Sequence, residues 1–376
     1  MQAADVIFKL IRIALGWESD YTLPNDINWE EVLRIANEQG VYAIIIDGYG
    51  IYISKNPKAK NTLFANEEIK TTVFSQIGFA EMNYYRHLAA ITELDEVLSG
   101  RCIPYLLLKG LACGQFYPNP HHRPCGDIDI YPGDRFEESN KALKDNGIEV
   151  DKVYYYRHSA SSIKDVTIEN HRVLGDLRGP RRQTKDFEAL LESEAINSIN
   201  RGKSISLEGV ILKGAVIPTA DFNALFLPWH VSAHFALERV TLRQLLDWAL
   251  FLDKEGQYIN VELFRSAKNR YTFGYSKFAD ILTAFALKYL KLPEGSIPLP
   301  IIQDAINTDD SLITKVYNYI FEGQPILTEK SIWKTRFNNF KRIWRERWKY
   351  KEIFGVSTLA FMYYKATGAI FNIGSD

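Results

Sequence analysis

Gly126-Asp127-Ile128-Asp129-Ile130 sets two acidic residues two positions apart, with isoleucines at the alternate positions. In an extended strand successive side chains point to opposite faces, so Asp127 and Asp129 share one face while Ile128 and Ile130 enter a core. Two carboxylates held that close repel each other unless a cation neutralises them. Hard divalent ions such as Mg²⁺ take oxygen ligands of this kind. The stretch reads as a metal-binding strand edge.

Working outward, Ile103 to Leu108 is a near-continuous apolar run, the pattern of a buried strand, and it ends in Lys109-Gly110. A short helix is expected from Gly110 to about Tyr117, stopped by Pro118-Asn119-Pro120. Pro132-Gly133 ends the Asp127 strand, and Phe136 to Asn146 reads as a helix. Two further strands are expected over about 149–158 and 166–174, the second carrying Glu169 and His171. Asp186 to Asn200 reads as a helix, and Ser204 to Leu212 as a hairpin about Glu208-Gly209. The fold class is α+β, a small mixed β-sheet core flanked by helical regions at both ends.

The flanks carry helical spacing. Asn28 is an expected N-cap for a helix through Ala36, and a long helix is expected from about Glu67 to Ser99. Beyond Thr219 helices are expected over 220–237, 241–254, 261–269 and 275–290. The chain therefore divides into a helical region 1–99, an α/β core 100–220, and a helical region 221–376 whose basic, aromatic tail begins near Ser331.

Composition bounds the function. With 376 residues, 46% hydrophobic and 24% charged, the chain builds two or three packed units and is not a disordered or low-complexity protein. A formal charge of -1 gives no indication of nucleic acid as a partner, although it leaves room for a local basic patch. Cys102, Cys113 and Cys125 show neither a disulfide framework nor a zinc spacing, which suits a reducing cytoplasm. The apolar N-terminus is interrupted by Asp5, Lys9 and Arg12 and reads as an amphipathic helix, not a secretion signal. The stretch 355–374 approaches membrane-spanning length, but Lys365, Gly368 and Asn372 interrupt it, so no transmembrane span is expected.

Phosphoryl and nucleotidyl transfer asks a protein mainly for positioning and charge neutralisation. Asp127 and Asp129 suit a metal bridge to a triphosphate, and Glu169, on a strand in phase with Thr167 and His171, is the third carboxylate. Lys109 and Gly110 at a helix start suit phosphate binding, and Arg123 offers a fork of donors. His171 shares the Glu169 face and is a candidate substrate contact.

Together the residues Leu107-Leu108-Lys109-Gly110-Leu111-Ala112, Tyr117-Pro118-Asn119-Pro120, Arg123 and Gly126-Asp127-Ile128-Asp129 resemble the bacterial uncharacterised nucleotidyltransferase family, within the polymerase-β-like superfamily. The resemblance extends from Trp29 to about residue 250, through Thr167-Ile168-Glu169-Asn170-His171, His234 and Arg243-Gln244-Leu245-Leu246-Asp247. It implies a divalent cation, Mg²⁺, with Asp127, Asp129 and Glu169 as catalytic and metal-holding residues. It also implies a nucleoside triphosphate such as ATP as donor, an unidentified acceptor, and Lys109, Gly110, Arg123 and His171 at the substrate. Leu111 stands where the wider superfamily carries Ser or Gly, which keeps a second reading open: a nucleotide-binding module without turnover. A third is a nucleotidyltransferase anchored to RNA or a membrane by its tail.

Other residues have plainer readings. His230 and His234 keep an i, i+4 spacing but lack the Glu of a metalloprotease helix, so they read as packing or substrate-facing. Asp247 and Arg243 read as a helix ion pair, His121-His122 as solvated loop, and Gly179-Pro180-Arg181-Arg182 as a solvated turn. Trp333, Phe337, Phe340, Trp344 and Trp348 keep helical spacing, which reads as a helix docked on the protein with a solvated basic face.

Overall fold

A computed structural model describes residues 2–58, 62–152, 156–175, 179–202, 204–321 and 340–371, with side chains as far as residue 366. Helices α1 (Ala3–Leu15), α2 (Trp29–Glu38), α3 (Tyr42–Lys55) and α4 (Glu67–Ser99) precede the sheet. The expected Asn28 cap forms, accepting from the Glu31 amide, and the structure adds a second at Asn66, which accepts from the amides of Glu68 and Ile69. Strand β1 (Tyr105–Leu108) leads into the short helix α5 (Gly110–Gly114). Then come β2 (Asp127–Tyr131), α6 (Phe136–Asp145), β3 (Val150–Asp151), β4 (His158–Ile163), β5 (Val166–His171), α7 (Arg181–Arg201), β6 (Ser204–Leu207) and β7 (Val210–Val216).

These strands form one mixed sheet in the order β3-β4-β5-β2-β1-β7-β6. At its centre β2 runs antiparallel to β1 and parallel to β5. One face, including Tyr105, Leu107, Ile128, Ile130 and Ile168, packs with Leu94, Leu98, Ala142 and Leu143 of α4 and α6. Leu106 and Leu108 of β1 join the other, larger core. Asp129, opposite Leu108 in the ladder, lies on that second side. The α+β class and the mixed sheet between helical flanks agree with the sequence reading.

One strand departs from it. Of the strand expected over 149–158, the described residues form only the two-residue β3 and, at His158, the start of β4; β4 pairs with β5 through the Lys164-Asp165 turn, with both φ positive (51° and 59°). That turn needs left-handed backbone at two non-glycine residues, so no glycine announces it. His158-Ser159-Ala160-Ser161-Ser162 also lacks the branched and aromatic residues that mark strands. By contrast, Glu208-Gly209 (φ 48° and 81°) makes the expected β6–β7 hairpin.

After the sheet come α8 (Ala220–Leu237), α9 (Leu242–Glu255), α10 (Val261–Arg270), α11 (Ser276–Phe285), α12 (Leu299–Ile306) and α13 (Asp310–Phe321). Pro228 sits inside α8 and has no amide to bond the Ala224 carbonyl, which instead accepts from the Tyr275 hydroxyl at 3.2 Å. The last carbonyls of α8 are met from the tail: Arg342 donates to Leu237, Lys349 to Phe235 and Tyr350 to Ala236. Trp333 and Phe337 of the expected tail helix lie outside the described residues; Phe340 and Trp344 are exposed, and Trp348 packs on the core. Among the described residues no helix is long and apolar enough to cross a membrane.

Helices α1 to α3 share the larger core with the helices after the sheet. Buried Gln39 ties them polar-to-polar, donating to the Ile320 carbonyl and accepting from the Leu242 amide. Where α3 crosses α1, a Cβ on Gly48 would lie 2.0 Å from the Leu10 carbonyl oxygen, so only glycine permits the approach. Gly48→Ala should destabilise the protein by about 1–3 kcal/mol or more through overpacking. A urea denaturation midpoint equal to wild type would contradict this crossing.

Candidate active site

Strand β2 delivers Asp127 and Asp129 into a cavity of about 410 Å³ between the sheet and α8. In the parallel ladder with β5, Asp129 sits beside Glu169 and Asp127 beside Thr167. Lys109, Gly110, Glu169 and His171 line the same cavity. One ligand atom each from Asp129, Glu169 and His171 lies within 4.8 Å of the other two. The expected carboxylates thus share one cavity, with Asp129, Glu169 and His171 as its tightest group.

Asp129 is almost fully buried, yet its Oδ1 meets the Lys109 ammonium at 3.0 Å and accepts from His171 Nε2 at 2.8 Å. Burial by itself would raise the Asp129 carboxyl, but Lys109 and His171 hold it well below the usual carboxylate range. Asp127 moves the other way, raised by burial and by the Asp129 charge. A hydrogen bond from His171 lowers Glu169 against the effect of burial. Burial disfavours the His171 imidazolium, but Asp129 and Glu169 together raise its value. Lys109 reaches this position from a strained turn: it has φ 46°, and Gly110 follows at φ 27°.

Oxygen donors dominate this group, and two or three convergent carboxylates fit a hard divalent cation. Asp127, Asp129 and Glu169 would hold it, with His171 fixing the orientation of Asp129. His171, expected at the substrate, turns its Nε2 to that carboxylate.

Arg123 requires a correction. It lines the cavity but is buried, and Nε and Nη2 donate to Asp247 of α9 at 3.0 and 2.8 Å while Nη1 donates to the Pro124 carbonyl. With its fork bound to Asp247, it pins the loop before β2 and does not present donors to a phosphate. Asp247 also accepts from the Tyr117 hydroxyl at 2.9 Å. The expected Asp247–Arg243 helix pair is therefore replaced; Arg243 Nη1 reaches the Pro124 carbonyl instead. His122 is no solvated loop residue either: it is buried with Nδ1 against Asp47 at 2.7 Å, and His121 packs on Tyr84.

Sequence reasoning missed Arg157 and His158, which line the cavity, with His158 Nε2 3.7 Å from Glu169. Both lie near the start of β4, the strand whose position the pattern did not disclose. His230, His234 and Arg243 face the cavity too. The i, i+4 histidine spacing was the available signal for the first two.

A family model described as "Uncharacterised nucleotidyltransferase" matches residues 25–285. The chain belongs to that family. No curated protein and no solved structure matches it.

In the cation-free protein His171 should keep its proton to higher pH than an ordinary imidazole. A raised folded value stabilises the fold fully below the ordinary histidine value, and that contribution is lost as pH rises through the folded one. The lowered Asp129 value acts in the opposite sense: its contribution is present above the ordinary carboxylate range and lost as pH falls through the folded value. An NMR titration of His171 should give a lower midpoint in Asp129→Asn than in wild type; equal midpoints would contradict the pairing.

Proposed function

We propose that the protein is an Mg²⁺-dependent nucleotidyltransferase that moves a nucleoside monophosphate from a nucleoside triphosphate to an acceptor hydroxyl. The observation that carries this reading is the convergence of Asp127, Asp129 and Glu169, from two parallel neighbouring strands, on one cavity that also holds Lys109. Family membership supports nucleotidyl transfer in general.

The protein's part is positional and electrostatic. Asp127, Asp129 and Glu169 hold the cation, which when bound neutralises charge on the phosphate oxygens and fixes the geometry of transfer. Lys109, which pairs with Asp129 at 3.0 Å, is placed to meet a phosphate oxygen. Gly110, at positive φ, lets the chain turn from β1 so that Lys109 faces the cavity. His171 keeps the Asp129 oxygen aimed, while Arg123 and Asp247 secure the approach to β2. In this reading the α/β core 100–220 supplies the carboxylates, and the helical region from 221 supplies the opposite wall.

The test is incubation with each labelled nucleoside triphosphate and Mg²⁺, with cell extract supplying acceptors. Asp127→Asn and Asp129→Asn should each lower label transfer or pyrophosphate release by about 100-fold or more, matching several kcal/mol of lost charge stabilisation. Equal transfer by wild type and both variants would overturn the reading. Nucleotide binding that is unchanged by Mg²⁺ and yields no transfer would favour the binding-module reading that Leu111 motivated.

A further inference from the structure

On the wall formed by α8, three side chains one helical turn apart are hydrogen-bonded in a row. His234 Nδ1 lies 2.8 Å from Glu238 Oε2, and His234 Nε2 lies 3.1 Å from His230 Nε2. All three residues line the cavity that holds the carboxylates.

The carboxylate at one end gives the row its direction. The Glu238 carboxyl, lowered chiefly by its bond from His234, is ionised and only accepts, so Nδ1 of His234 carries a hydrogen. With a single ring hydrogen, at Nδ1, His234 keeps its lone pair on Nε2, and the 3.1 Å contact then takes its hydrogen from Nε2 of His230. The lone pair left over is on Nδ1 of His230. Among the described residues nothing bonds that atom, and it is not one of the buried atoms sealed away without a partner. Phe226 stacks on the His230 ring at 5.7 Å and holds its plane.

We propose that His230, His234 and Glu238 form a proton relay that removes the proton of the acceptor hydroxyl, and that the acceptor is therefore an alcohol rather than a phosphate or carboxylate. This rests on the nucleotidyltransferase reading. The acceptor oxygen forms a bond to the α-phosphorus while the bond from that phosphorus to the pyrophosphate oxygen breaks, its electron pair leaving with pyrophosphate. The hydroxyl proton passes to Nδ1 of His230, the Nε2 proton of His230 passes to Nε2 of His234, and the resulting His234 imidazolium rests against ionised Glu238. An acceptor that is already an anion has no proton to lose and no use for such a chain.

The surroundings favour outward movement. Burial holds His230 well below an ordinary imidazole, helped by Lys109 and His234 and with His171 adding to the effect, while Asp129 opposes it. His230 thus does not retain the proton. At the other end Glu238 draws it, with Arg157 and Arg342 as the nearby cations that moderate this pull.

The experiment compares wild type with His230→Gln, Glu238→Gln and Asp129→Asn, following pyrophosphate release from Mg-ATP and the other triphosphates with cell extract across pH, together with ¹⁵N-histidine NMR. His230→Gln should lower kcat by about 100-fold or more at unchanged nucleotide binding and remove the acid-side fall of the pH profile, with partial rescue by added imidazole. Glu238→Gln should lower kcat less. Release that survives in Asp129→Asn overturns the nucleotidyltransferase reading itself. Release abolished in Asp129→Asn but unchanged in rate and pH profile in His230→Gln overturns the relay alone. The NMR arm decides without turnover: His230 must be the Nε2–H tautomer and His234 the Nδ1–H tautomer, and His234 unprotonated at Nδ1 overturns the relay.

Discussion

Like charges crowded into a poorly solvated place constrain everything else in this molecule. Asp129 is almost wholly buried, with Glu169 beside it in the ladder and Asp127 two residues before it. Such a group stands only if cations face it, because burial and mutual repulsion both disfavour ionisation. Lys109 and His171 provide that compensation in the protein alone. Lys109 directly follows β1 and His171 ends β5, both strands bonded to β2, so the sheet assembles the negative group and its counter-charges in the same act.

The helices hold the rest. Buried Arg123 and Asp247 join the loop before β2 to α9, while α8 is steadied at its proline by Tyr275 and at its C-terminus by Arg342, Lys349 and Tyr350. Removing one member of a buried pair such as Arg123–Asp247 typically costs about 3–5 kcal/mol, since the other charge is stranded. The helices of that wall are therefore tied to the loop entering the sheet through Arg123–Asp247 and Arg243–Pro124, and α8 is braced against the other helices by the remaining contacts. This rigidity lets a 410 Å³ cavity keep its charges in register.

What the sequence disclosed follows from how local each signal is. Alternation set the faces of Asp127 and Asp129, and phase along β5 set Glu169 beside them, because a strand's period of two leaves little freedom. Asn28 and the Glu208-Gly209 turn announced themselves chemically. The β4 hairpin did not, since Lys164-Asp165 adopts left-handed backbone without glycine, and Arg157 and His158 were lost with it. The partner of Arg123 was hidden for another reason: Asp247 is distant in sequence, and an i, i+4 neighbour, Arg243, offered a more obvious match. Long-range pairing of charges is a tertiary fact, and no local pattern carries it.

The central claim is that Asp127, Asp129 and Glu169 together hold a divalent cation for a nucleotide. Electron paramagnetic resonance of Mn²⁺ bound to the full chain, with a non-hydrolysable ATP analogue present, tests it most directly. The account predicts Mn²⁺ bound by wild type, displaced by Mg²⁺, and lost in both Asp129→Asn and Glu169→Gln. Mn²⁺ bound equally well by wild type and both variants would contradict it.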